Sequence, residues 1–161
     1  MSLGKLFGRA HGAPASLFPV AMAEEDWRRC LAPDAFRVLR EHGTEPPHSS
    51  PLDGERRPGR FLCAGCGQPL FDAADKFDGG TGWPSFCRPL ECAVGRADDG
   101  VEATAGTEVH CANCGGHLGH VFADGPPPTG LRYCVNGVAM TFEPQAAEPD
   151  PVPGRPACGR R

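Results

Sequence analysis

Nine cysteines in a chain of 161 residues are the side chains best able to do chemistry, and their spacing sorts them into two groups. Cys63-Ala64-Gly65-Cys66-Gly67 and Cys111-Ala112-Asn113-Cys114-Gly115 repeat one pattern, with two thiols three positions apart in a tight turn and a glycine that lets the chain reverse. Thiolates are soft ligands that suit zinc, and two such knuckles complete a tetrahedral site of four cysteines. The stretch between them is longer than in compact zinc ribbons, so a metal there ties distant segments together. With four protein ligands no coordination position stays open, so the metal is structural and does not activate water. A competing arrangement uses the second knuckle alone: Cys111, Cys114, His117 and His120 form a C-x2-C-x2-H-x2-H string. The all-cysteine site is preferred because it uses both soft pairs and frees the histidines. A disulfide, plain buried thiols or a thioredoxin-like redox pair compete as well, but neither knuckle sits in the βαβ pattern of a redox pair.

The second group is built around Cys134. Leu131-Arg132-Tyr133-Cys134-Val135-Asn136 reads as a strand, and alternation puts Arg132, Cys134 and Asn136 on one face. A guanidinium beside a thiol favours the thiolate and is expected to lower its pKa, which is how cysteine nucleophiles are made. The competing picture is a buried thiol with Arg132 turned to solvent. In His117-Leu118-Gly119-His120-Val121-Phe122, two imidazoles three positions apart can donate and orient a proton near neutral pH, and Asp124 follows four positions after His120. In Gly82-Trp83-Pro84-Ser85-Phe86, an indole held by its neighbouring proline can wall a small apolar pocket, although a Trp-Pro alone is more often core packing.

These residues need a scaffold, and the composition limits its kind. One domain with a buried core is the expectation at this length. The 22 glycines and 18 prolines predict short strands and many turns rather than a helical bundle. Short apolar pieces between Arg60 and Phe142 alternate with Gly/Pro/Asp clusters, an antiparallel and mostly β pattern. Before them, Glu24 to His42 reads as two short helices: acids at Glu24, Glu25 and Asp26 favour one N-terminus, Pro33 suits the first turn of the second, and Gly43 is placed to end it in a left-handed cap. Residues 1–22 and the Pro-rich 144–161 read as segments without fixed structure flanking a domain over 23–143.

The net charge of −4 with scattered basic residues disfavours a nucleic-acid groove. No apolar run approaches the roughly 20 residues of a membrane span. The first 22 residues carry Lys5 and Arg9 and no acid, a faint likeness to a transit peptide. Five thiols outside the knuckles fit a reducing compartment, so the expected location is the cytoplasm.

Taken together and in this order, these stretches resemble the peptide-methionine (R)-S-oxide reductase family. The resemblance rests on Val38-Leu39-Arg40, Gly43-Thr44-Glu45-Pro46-Pro47, both knuckles, Pro69-Leu70-Phe71, Lys76-Phe77, Gly82-Trp83-Pro84-Ser85-Phe86, Thr107-Glu108-Val109, His117 to Phe122, Asp124-Gly125-Pro126 and Thr129 to Asn136. It runs from Glu24 to Phe142, roughly three quarters of the chain. It implies a mainly β fold of two antiparallel sheets knotted by one structural zinc on Cys63, Cys66, Cys111 and Cys114, with short N-terminal helices. It implies Cys134 as the nucleophile, assisted by His117, His120 and Asn136, in a pocket where Trp83, Asp124 and Arg132 meet the substrate. The implied reaction reduces methionine-R-sulfoxide, in oxidised proteins or free, through a cysteine sulfenic acid, with thioredoxin as the final reductant.

Some positions depart from the family pattern. Many members carry a resolving cysteine immediately before Gly-Trp-Pro, where this chain has Thr81. Cys30, Cys87, Cys92 and Cys158 are left as candidates, with Cys87 placed first by its spacing from Trp83. His48 replaces a common aromatic residue and Gly137 a common serine. The rival functions are a non-catalytic zinc-binding β module that recognises a protein partner, a nucleic-acid ribbon, and a thiol–disulfide oxidoreductase working through a CxxC. Reactivity of Cys134 at mildly acidic pH separates the first from an enzyme.

Overall fold

A computed structural model describes residues 17–97 and 106–146. It contains two helices, α1 (Glu24–Cys30) and α2 (Pro33–Glu41), followed by nine strands. These are β1 (Gly59–Cys63), β2 (Pro69–Asp72), β3 (Lys76–Phe77), β4 (Ser85–Phe86), β5 (Val94–Ala97), β6 (Thr107–Cys111), β7 (His117–Phe122), β8 (Arg132–Val135) and β9 (Met140–Pro144). Strands β2-β1-β9 form a three-stranded sheet and β3-β4-β8-β7-β6-β5 a six-stranded one, and every pairing is antiparallel. The mainly β fold of two antiparallel sheets with short leading helices is therefore what the chain adopts.

An aromatic cluster joins the sheets. Phe71 of β2 stacks on Phe86 of β4 with centroids 4.3 Å apart, and Phe61 of β1 meets the edge of Phe86 at 5.0 Å. Tyr133 of β8 completes the cluster from the larger sheet. Burying each ring removes a large apolar area from water, and the offset and edge contacts add about 0.5–1.5 kcal/mol per pair. The same alternation that buries Tyr133 and Val135 leaves Arg132 and Cys134 half-buried on the opposite face of β8.

Helix α2 covers this assembly with Ala35, Phe36, Val38 and Leu39 buried at helical spacing. Its termination differs from the expectation. His42, not Gly43, takes the left-handed conformation at φ 55°, and the Gly43 N–H donates to Arg37 O. Gly43 matters for space instead, since a Cβ there would lie 2.8 Å from that carbonyl oxygen. Arg40 in the last turn spreads over Trp27 of α1 and donates to Cys114 O, so both helices are fastened to the second knuckle.

The flanking segments differ in part from the expectation of unstructured ends. Residues 17–22 lie against that knuckle, with the Val20 N–H donating to Asn113 O and Phe18 packed edge-on to His110. Strand β9 reaches Pro144, and Gln145 donates to Pro58 O. Residues 1–16 and 147–161, including Cys158, lie outside the described residues. No helix among the described residues is long and apolar enough to cross a membrane.

Candidate active site and metal centre

The two knuckles fold alike because their sequences demand the same turn. In the first, Cys63 N–H donates to Gln68 O and Gly67 N–H to Cys63 O; in the second, Cys111 N–H donates to Gly116 O and Gly115 N–H to Cys111 O. Gly67 and Gly115 hold matching left-handed angles of 76° and 70°, which a side chain would oppose. One turn joins β1 to β2 and the other joins β6 to β7, so the pair links the two sheets.

All four sulfurs converge within 4.8 Å of one another. Cys63 and Cys114 are 3.7 Å apart and Cys66 and Cys111 3.6 Å. A tetrahedron of sulfurs about 2.3 Å from a zinc ion has edges of about 3.8 Å, so the donor set fits that ion. Neighbouring thiols drive the ionisations apart. Hydrogen bonds from Cys114 and Cys63 pull Cys111 down to about 2, while hydrogen bonding to Cys111 and Cys114, followed by burial, pushes Cys63 far up. A cation lets all four ionise together. The competing string through His117 and His120 does not assemble, because His117 turns to Glu108 instead.

The second centre lies on the larger sheet. Ser85, Cys134 and His120 are successive Cα partners across β4, β8 and β7, and Glu108 of β6 continues the row. Beside Cys134 opens a cavity of about 100 Å³ lined by Thr44, Trp83, Gly119, His120, Phe122, Cys134, Val135 and Asn136. Gly119 keeps the sheet closed at this point: a Cβ there would fall 2.0 Å from Cys134 O. The Trp83 wall is held by its indole N–H donating to Glu45 O at 3.0 Å. Asn136 is buried, its side chain donating to Leu118 O and accepting from Glu45 N–H, both at 2.9 Å.

Of the predicted site residues, Trp83, His120, Cys134 and Asn136 thus meet at one cavity, while three do not line it. His117 is 3% exposed and lies behind His120, its ring centroid 5.5 Å away. Three positions apart in a regular strand they would face opposite ways; an irregularity in the β6–β7 register, where His110 pairs with His117 and Val109 with Gly119, brings them together. Arg132 and Asp124 form a two-bond ion pair at 2.9 and 3.1 Å, with the guanidinium spread over the Phe122 ring. They buttress a wall of the cavity from outside it.

The expected lowering of the Cys134 pKa is not met. Burial pushes the thiol up, and this outweighs a hydrogen bond from Thr81 and the charge of Arg132, which Asp124 partly offsets. Taking a thiolate out of water costs more than a neighbouring, already paired cation returns. The raised value favours the neutral thiol in the free site. Burial also keeps His117 below the ordinary imidazole value against the pull of Glu108.

One functional contributor was missed. Glu45 is buried, and its carboxylate accepts from the backbone N–H groups of Gly137 and Val138 at 2.6 and 2.9 Å, while its backbone holds Trp83 and Asn136. Its only sequence signal was its place in the Gly43–Pro47 motif. The departures at positions 137 and 48 also find partners. The space a side chain at position 137 would need is taken by Ser50, whose Oγ would sit 2.1 Å from a Cβ there. His48 donates its backbone N–H to Gly82 O and packs on that glycine just before Trp83.

Comparison with known proteins agrees with this geometry. A family model for the SelR domain matches residues 31–144. The peptide methionine sulfoxide reductase MsrB of Agrobacterium fabrum is 52% identical over 126 residues, covering 78% of this chain and 93% of that protein. The proteins of the same name from Bradyrhizobium diazoefficiens and Pseudomonas putida KT2440 are each 51% identical, over 127 and 122 residues. They cover 78% and 75% of this chain, and 91% and 93% of their own.

Proposed function

The chain belongs to the MsrB family of peptide methionine sulfoxide reductases, oxidoreductases by reaction, and on that premise we propose that Cys134 reduces the R epimer of methionine sulfoxide. The observation that carries this reading is a single thiol opening onto a small cavity between an indole and an imidazole. Its volume of about 100 Å³ marks a small cavity with room for a sulfinyl methyl group. Trp83 would hold that methyl group, and the fixed places of indole, imidazole and thiol would select one hand at sulfur.

The first step balances without an outside proton. The Cys134 S–H proton passes through His120 to the sulfoxide oxygen; the S–O bond of the substrate breaks as an S–O bond to Cys134 forms, methionine leaves, and Cys134 is left as a sulfenic acid. Methionine sulfur is reduced by two electrons and Cys134 sulfur is oxidised by two. A protonated resting thiol is suited to this, because nucleophile and proton arrive together. A second thiol then condenses with the sulfenic acid, releasing water and leaving a disulfide.

The source of that second thiol is part of the proposal. Among the described cysteines outside the knot, Cys87 lies two positions along from Ser85, the partner of Cys134. Its sulfur is turned 3.7 Å from Asp75 Oδ1, and burial followed by the Asp75 charge pushes its pKa up, which slows attack as a thiolate. Cys30 and Cys92 are exposed elsewhere. Direct resolution by an external dithiol such as thioredoxin is therefore favoured, and peptide mapping after one turnover without reductant distinguishes the routes. Zinc on Cys63, Cys66, Cys111 and Cys114 would supply a structural cross-link with no open position.

The test is turnover of R- and S-sulfoxide by wild type and Cys134→Ser, with zinc quantified in both. Reduction of the R epimer alone, lost in the variant while one zinc per chain remains, is the expected result. Full activity in Cys134→Ser rejects the nucleophile, and equal use of both epimers rejects the selective pocket.

A further inference from the structure

The cross-strand row that contains Cys134 does not stop at His120. Its next member, Glu108, is almost buried, and one of its oxygens receives two imidazoles: His117 Nδ1 at 2.8 Å and His42 Nδ1 at 3.0 Å. An ionised carboxylate only accepts, so His117 Nδ1 donates its hydrogen bond, while His42 is an ion-pair neighbour of the same oxygen. The groups facing Glu108 are His42 at the end of α2, His110 on its own strand and His117 on β7; those facing His117 are Glu108, His42 and His120. Burial pushes the Glu108 carboxyl up, but the His117 hydrogen bond and the neighbouring imidazoles together hold it below its usual range.

We infer that Glu108 is a positioning residue for the reaction, acting through His117. Its carboxylate fixes His117 as the Nδ1–H tautomer, which leaves Nε2 as the one nitrogen free to exchange a proton, and it stabilises the imidazolium when His117 shares the proton that Cys134 passes to His120. The His117 and His120 rings lie edge to face, and His120 pairs with Cys134, so a proton held at His117 is held one residue behind the cavity. The left-handed backbone of His42 keeps its imidazole beside the same carboxylate oxygen from the solvent side. The inference rests on the sulfoxide reductase reading of the cavity, but its geometry can be tested apart from it.

Two measurements test it, both on the zinc-loaded full chain. Nitrogen-15 NMR of the histidine rings is expected to show His117 as the Nδ1–H tautomer in wild type at neutral pH; an Nε2–H tautomer overturns the inference whether or not the protein reduces sulfoxide. The second is the pH profile of kcat for R-sulfoxide. Glu108→Gln removes the negative charge that holds the proton shared by Cys134, His120 and His117, so the pH above which kcat falls moves at least one unit lower and kcat at neutral pH drops roughly tenfold, a factor of about 1.4 kcal/mol. KM should stay within about twofold, and Glu108→Asp should recover part of the shift. A purely structural role would instead lower zinc content or the melting midpoint with the pH profile unmoved, and that outcome sinks the proposal. Absence of R-sulfoxide turnover in wild type would reject the function assigned to the cavity and leave the tautomer measurement standing.

Discussion

Five cysteine sulfurs of this protein sit in two settings that differ in what faces them. At the knuckles, each thiol faces other thiols: four sulfurs within 4.8 Å, brought there by two copies of one turn. At Cys134, a single thiol faces a cavity with an indole, an imidazole and an amide around it. The first setting is closed and suits an ion with four soft ligands. The second keeps its sulfur solitary and accessible to a small substrate. The difference teaches that reactivity here comes from the space left beside a sulfur, and not from an unusually acidic thiol, since burial raises Cys134 above its ordinary value.

The comparison breaks most visibly by removing metal. Structural zinc contributes about 10–16 kcal/mol in small zinc domains, comparable to the whole stability of a fold this size. Chelation, or Cys66→Ser, is therefore expected to abolish the cooperative thermal transition, as read by circular dichroism. Cys134→Ser should do the opposite: R-sulfoxide turnover falls at least about 10³-fold, worth about 4 kcal/mol in the barrier, while the melting curve and zinc content are preserved. If both variants lose the same property, the two settings are not separate.

Smaller changes sharpen the contrast. Glu45→Ala leaves the buried N–H of Gly137 and the part-buried N–H of Val138 without their acceptor, and at about 1–3 kcal/mol for each unpaired group should destabilise the protein by about 2–6 kcal/mol in urea melts. Trp83 and Asn136 are held by the backbone of Glu45, so R-sulfoxide turnover should suffer less than stability. The pH dependence of alkylation carries the smallest effect. With its pKa raised, Cys134 in the free enzyme should react with iodoacetamide at a rate still climbing at pH 8.5, the ordinary thiol value. Arg132→Ala removes a lowering charge and should move the curve further toward alkaline pH. A plateau near pH 6 in wild type would contradict the protonated resting thiol.

Much of the fold was legible because it follows from short-range rules. The helices at Glu24–Cys30 and Pro33–Glu41 announce themselves by acids, a proline at the first turn and apolar residues at helical spacing. Strands β3 and β4 are two residues each, too short to show any period, and β5 was not anticipated either; they exist because β8 and β6 offer edges to pair with. The apolar stretch from Leu131 to Phe142 is cut by a single helical turn at Gly137–Ala139, which sends β9 to the other sheet.

At the site, residue types and spacing alone determined the two CxxC turns, the strand carrying Cys134 and the indole before a proline, because each is dictated by chain geometry over a few positions. Only the tertiary structure decided that the knuckles meet each other, that His117 goes to Glu108 and Arg132 to Asp124, and that burial outweighs a neighbouring guanidinium at Cys134. The physical reason is that partner choice and solvation depend on which distant segments arrive at a point and how much water they displace, quantities that no local pattern encodes.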